Sequence, residues 1–129
     1  MEMKCLFCDY SGEVRKDHMI YEDSTYVAFL SKRALSPGHA LLIPKSHITD
    51  IEKLDAGILH AAKKLTDAIL KATDADVLNI QISCGKAMER LPHIHVHLIP
   101  VFRTDMGEIS DTQKAGLARR IRDAYESAQ

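Results

Sequence analysis

The run His93-Ile94-His95-Val96-His97-Leu98-Ile99-Pro100 carries the most concentrated chemistry in the chain. In an extended strand successive side chains point to opposite faces. His93, His95 and His97 therefore share one face, and Ile94, Val96 and Leu98 share the other. One imidazole on a strand face is ordinary; three in strict alternation read as a reaction centre. Histidine titrates near neutral pH, so it serves as a nucleophile, a proton donor or a neutral metal ligand. Reach limits how the row is used. Same-face neighbours lie about 6.6–6.8 Å apart, which puts the outer pair about 13 Å apart, whereas a Zn–N bond is about 2.0–2.1 Å. Two neighbours can converge on one ion, but His93 and His97 cannot do so comfortably. The row must divide its labour, and spacing alone leaves open which histidine does what.

Cys5 and Cys8 form a C-x-x-C pair. Such a pair is half of a zinc site or a redox couple. A redox couple usually sits between a strand and a helix start, and no such unit follows here. A closed tetrahedral zinc site needs two further ligands, for which His18, His39, His47, His60 and the histidine row are candidates. His60 falls on a helix outside its apolar stripe and reads as solvated. Cys84, alone at a strand end, reads as a small buried hydrophobe. The odd cysteine count argues against a disulfide framework, so the expected compartment is the cytoplasm, where thiols stay reduced.

The elements that position these residues follow from periodicity and turn chemistry. His18 to Glu22 and Thr25 to Leu30 read as two strands joined by a turn at Asp23-Ser24. Ser36-Pro37-Gly38 marks a second turn, after which His39 to Pro44 reads as an apolar strand. Asp55 is the expected N-cap of a helix whose stripe is Ile58, Leu59, Ala62, Leu65, Ile69 and Ala72. Val77 to Cys84 and His93 to Pro100 are the later strands. Asp111 is expected to cap a last helix with the stripe Leu117, Ile121 and Tyr125. Strands outnumber crossover helices, so the expected class is α+β: a mostly antiparallel sheet with its helices packed on one side.

The chain has 129 residues, with 17 basic and 18 acidic side chains and a formal charge of -1. That length suits one domain, expected here over residues 1–129. The near-zero charge disfavours a long nucleic-acid partner. No apolar run approaches the roughly 20 residues of a membrane span, and the first residues lack the apolar stretch of a signal peptide. The expectation is thus no membrane and no nucleic acid.

Two stretches closely resemble the histidine triad (HIT) superfamily: Ser36-Pro37-Gly38-His39-Ala40-Leu41-Leu42-Ile43-Pro44-Lys45-Ser46-His47, and then His93-x-His95-x-His97-Leu98-Ile99-Pro100. Cys5-Leu6-Phe7-Cys8 and Tyr26-Val27-Ala28-Phe29-Leu30 fit the same pattern, so the resemblance runs from about residue 4 to 103. It implies a five-stranded antiparallel sheet with one long helix and a C-terminal helix, and a homodimer. It also implies a nucleotide-binding hydrolase or transferase of the Hint-like, zinc-containing branch. Such an enzyme cleaves a phosphoramide or phosphoanhydride bond at the α-phosphorus through a covalent nucleotidyl-histidine. His95 matches the nucleophile, and His97 the histidine that contacts the phosphate and leaving-group side. Cys5, Cys8, His47 and His93 match the ligands of one structural Zn2+. His39 belongs to the turn motif and reads as structural. The division agrees with the reach argument, because no ion needs both ends of the row.

The resemblance departs at substrate-facing positions. Ser31 stands where the family often has an Asp that accepts from ribose hydroxyls, and Lys32-Arg33 follow it. Ser83 stands where Asn is common, and Met88-Glu89 replace a Gly-Gln pair ahead of the triad. Glycine lets a backbone approach phosphate closely; Glu89 repels phosphate if it points inward, and Arg90 offers a compensating charged fork. Val101 stands where Arg commonly follows the final Pro. Ser31, Ser83, Glu89, Arg90 and His97 are thus the expected substrate contacts, for a nucleotide or other small phosphate ester. The alternative is a catalytically weak nucleotide- or phosphate-ester-binding protein, a sensor or interaction module, with a structural zinc.

Overall fold

A computed structural model describes residues 16–48, 50–82, 94–104 and 106–127. Its described strands are β1 (Met19–Glu22), β2 (Tyr26–Leu30), β3 (Ala40–Pro44), β4 (Val77–Ile82) and β5 (Val96–Val101). They form one five-stranded sheet in the order β1-β2-β3-β5-β4, with every neighbouring pair antiparallel. Helix α1 (Gly57–Ala72) connects β3 to β4, and β5 returns between those two strands; helix α2 (Asp111–Ser127) ends the described chain. This is the expected α+β arrangement.

The first hairpin closes where Asp23 predicts a turn. Its Oδ1 accepts from the backbone N–H of Thr25 at 2.7 Å and of Tyr26 at 2.6 Å, the local side-chain bonding that favours Asp in turns. His18 ends a short 3-10 turn instead of opening β1. Its Nε2 donates to the Asp111 carbonyl at 3.0 Å, a contact 93 residues away in sequence that strand periodicity does not register.

Helix α1 buries Ile58, Ala61, Ala62, Leu65, Ala68 and Ile69. Leu59, expected in that stripe, is 49 % exposed because it falls to the side of the sheet-facing row. The N-cap is Ala56, which makes no side-chain cap bond, and the expected cap Asp55 sits one residue earlier, its Oδ1 accepting from the Gly57 N–H at 2.9 Å. Helix α2 buries Leu117, Ala118, Ile121 and Tyr125. At its start Ser110 Oγ accepts from the Gln113 N–H, and Gln113 Oε1 accepts from the Ser110 N–H, a reciprocal capping box.

The main core joins both helices to one sheet face through Ala28, Leu30, Ala40, Leu42, Val96 and Leu98. A second apolar cluster, Val27, Phe29, Leu41 and Ile43, occupies the opposite face. β2 and β3 are thus buried along their whole length, which is why they read as unbroken apolar runs instead of alternating ones. Among the described residues no helix is long and apolar enough to cross a membrane.

Candidate functional site

The alternation of β5 sorts its side chains as expected. Ile94, Val96 and Leu98 are fully buried. His97 lies on the other face; it pairs with Leu41 of β3 on one side and with Gln81 of β4 on the other. His95 precedes the strand and is 5 % exposed, while His97 is half-buried. Their rings meet edge-on with centroids 4.8 Å apart and planes at 74°.

A third histidine completes the group. His39 follows the Ser36-Pro37-Gly38 turn and is 3 % exposed. The turn holds it from both sides. Ser36 Oγ donates to the Pro100 carbonyl at 2.6 Å, tying the turn to β5. Gly38 has φ +93°, a left-handed conformation that favours glycine. Residue 39 is then delivered to the start of β3 on the same face as His97.

The hydrogen bonds of His39 fix its tautomer and that of its neighbour. A backbone N–H can only donate, so the Leu35 N–H at 3.0 Å from His39 Nδ1 makes that nitrogen an acceptor. The His39 proton then sits on Nε2, which donates to His97 Nδ1 at 3.0 Å. His97 Nδ1 therefore carries no proton, and its own proton sits on Nε2. The order is Leu35 N–H to His39, His39 to His97, and His97 Nε2–H onward. Protonating His39 at Nδ1 would set two donors against each other. Burial, and after it the neighbouring His97, push the His39 pKa down to about 4 from 6.5. Burial first, and the charge of His95 second, also lower that of His97. Both shifts favour the neutral forms of His39 and His97, and His97 Nε2–H is left as a donor.

Reading by motif treated His39 as part of a turn and missed this role. The signal was present: His39, Leu41 and Ile43 alternate as His95, His97 and Ile99 do, and antiparallel pairing puts the two rows on one face.

Ser31 continues β2 beside His39, its N–H donating to the His39 carbonyl at 2.9 Å. It is 6 % exposed. Its Oγ accepts from the Arg33 N–H at 3.3 Å, and its carbonyl accepts from Lys114 Nζ at 3.2 Å. The hydroxyl thus organises its own turn and keeps one proton to donate.

Ser83, Glu89, Arg90 and the metal-ligand candidates Cys5, Cys8 and His93 lie outside the described residues. Among the described residues no three His, Cys, Asp or Glu side chains gather in a way that holds a metal. The fourth candidate, His47, is exposed just after β3. One bond bears on the set: the Ile94 N–H donates to the Ile48 carbonyl at 2.6 Å. The residues next in sequence to His93 and His47 are therefore joined backbone to backbone, and two thiols with two imidazoles is a donor set that suits zinc.

Residues 13–104 match the HIT domain family. The chain is 30% identical to the adenosine 5′-monophosphoramidase of Saccharomyces cerevisiae, over 78% of this chain and 64% of that one. It is also 30% identical to the adenylylsulfatase of Arabidopsis thaliana, over 78% and 53% of the two chains. A hypothetical histidine triad nucleotide-binding protein from Sulfolobus tokodaii superposes with a TM-score of 0.81 at 27% identity, covering 95% of this chain and 93% of that one. A Zn-bound histidine triad family protein from Mycobacterium smegmatis superposes with a TM-score of 0.74 at 30% identity, covering 98% and 99%. The histidine row, the fold that presents it and the family match agree: this chain is a member of the HIT family.

Proposed function

We propose that this protein is a nucleotide hydrolase or transferase that acts at the α-phosphorus of a nucleoside phosphoramide or phosphoanhydride, with His95 as nucleophile. The observation that carries the reading is the bond from His39 Nε2–H to His97 Nδ1, because it leaves His97 Nε2–H as a fixed donor beside the His95 ring. A nitrogen of His95 forms a bond to phosphorus as the bond to the leaving group breaks. The leaving group departs with its electron pair, and His97 Nε2–H donates a hydrogen bond to the developing charge. The leaving group takes its proton from a water, and the hydroxide so formed attacks phosphorus as the P–N bond to His95 breaks. Phosphoryl transfer asks mainly for positioning and for donors around the equatorial oxygens. Attack requires a ring nitrogen of His95 with its lone pair free. Ser31, Ser83, Glu89 and Arg90 are the proposed further substrate contacts. The activities named for the yeast and plant relatives support the substrate class.

Cys5, Cys8, His47 and His93 are the residues proposed to hold one zinc ion. With four protein ligands it would supply structure and offer no open position to substrate. The Ile94–Ile48 bond supports this set. Elemental analysis of protein purified without a histidine tag is expected to find one zinc per chain, and finding none counts against the site. A homodimer is proposed as well. Strand β4 ends the described sheet with Val77 and Ile80 53 % and 45 % exposed, an edge that a second copy can cover. Sedimentation equilibrium tests it.

The catalytic reading is tested by incubating the protein with adenosine 5′-phosphoramidate and with diadenosine polyphosphates. Acid quenching followed by peptide mass measurement is expected to find a nucleotidyl group on His95. His95→Ala is expected to lose turnover by on the order of 10⁴-fold or more. Full turnover in that variant ends the proposal.

A further inference from the structure

The turn that positions His39 also walls a pocket whose cationic side chains the reaction above does not use. It encloses about 90 Å³, several times the roughly 10–15 Å³ that one water needs. Lys32 and Arg33 line it from the turn, and Lys114 lines it from α2. Among the described lining residues Glu108 is the only acid. Those residues thus carry three cations against one acid, in a chain whose formal charge is -1. The scaffold is built: Lys114 Nζ donates to the Ser31 carbonyl, Ser31 Oγ accepts from the Arg33 N–H, and Ser36 Oγ holds the Pro100 carbonyl. An ammonium has three N–H donors, and the Ser31 carbonyl engages one of those on Lys114. A guanidinium adds a planar fork matched to two oxygens of a tetrahedral anion. His39 lines the same pocket, and its ring bonds to His97.

We propose that this pocket is a second oxyanion site, for a phosphate-type dianion other than the phosphate that His95 attacks. The anion has two sources with one chemistry: a second phosphate on the ribose of the nucleotide, or free inorganic phosphate. The first source rests on the function proposed above; the second does not.

Calorimetric titration in phosphate-free buffer separates them, with adenosine 5′-monophosphate, adenosine 3′,5′-bisphosphate and inorganic phosphate as probes. The expected result is that the bisphosphate binds at least tenfold more tightly than the monophosphate. In the double variant Lys32→Gln/Arg33→Gln, whose side chains are exposed, the two are expected to bind alike. Phosphate binding that the double variant loses, with no preference between the nucleotides, supports the site and assigns it to the free anion. Phosphate binding without monophosphate binding supports the pocket and overturns the nucleotide reading. Absence of both a bisphosphate preference and phosphate binding overturns the pocket, as does a preference that survives in the double variant.

Discussion

The two faces of β5 differ by one residue of register and by everything else. On one, Val96 and Leu98 are fully buried in the core shared with the helices. On the other, His97 bonds to His39 and stacks edge-on to His95. The first face resists change through dispersion and the exclusion of water; the second resists it through a directed set of hydrogen bonds that fixes where protons sit. A one-residue slip would exchange the faces, so the apolar row locks the register that aims the histidines. The difference predicts that the faces fail differently: cutting the core face should lower stability and spare the chemistry of each folded molecule, and cutting the histidine face should disturb protons first.

The largest expected effect breaks the core face. Leu98→Ala removes a side chain with no solvent exposure and should cost about 2–5 kcal/mol by lost burial and a residual cavity. Urea unfolding should show the midpoint falling. Turnover on adenosine 5′-phosphoramidate, corrected for the folded fraction, should stay within about threefold. A folded variant with much lower turnover would mean that the two faces are not separable.

The histidine face predicts a pH signature. The His39 pKa of about 4 lies below its ordinary 6.5, so between those values the unfolded chain holds a proton that the native state refuses. Its contribution is complete above pH 6.5, declines as pH falls and is gone by about pH 4. The ceiling is about 3 kcal/mol. His97 is shifted in the same direction and adds to the slope. His39→Asn should therefore be less stable at pH 7 yet lose less between pH 7 and pH 4.5, measured as a smaller drop in Tm. An unchanged slope would remove His39 as its source.

What the sequence discloses follows the same division. Local signals were legible: the alternation of Ile94, Val96 and Leu98, the Ser36-Pro37-Gly38 turn, the Asp23 turn and most of the stripe of α1. Long-range pairings were not. The bond from His39 to His97 spans 58 residues, and that from Lys114 to Ser31 spans 83. No periodicity carries such contacts; they follow from the order in which strands dock. The cluster of Val27, Phe29, Leu41 and Ile43 was hidden for a related reason, since an unbroken apolar run says that both faces are buried without saying against what. The motif resemblance supplied the roles proposed for His95 and His97, while the tautomers came only from geometry.

Gly38 is where the two faces meet, and it carries the smallest of these effects. At φ +93° any L side chain is strained, at about 1–2 kcal/mol. A Cβ there would lie 3.2 Å from Pro100 Cγ and 3.3 Å from Thr73 Cγ2, between β5 and the end of α1. The next residue, His39, points to the opposite face. Gly38→Ala should thus cost about 2 kcal/mol, and relief of the crowding should move the turn that carries His39. If movement reaches the His39–His97 bond, His39 regains water and its proton, and the loss of stability on acidification should become shallower, as in His39→Asn. If the variant keeps the full acid slope at lower stability, the strain stops at the turn, and the core face and the histidine face are coupled through register alone.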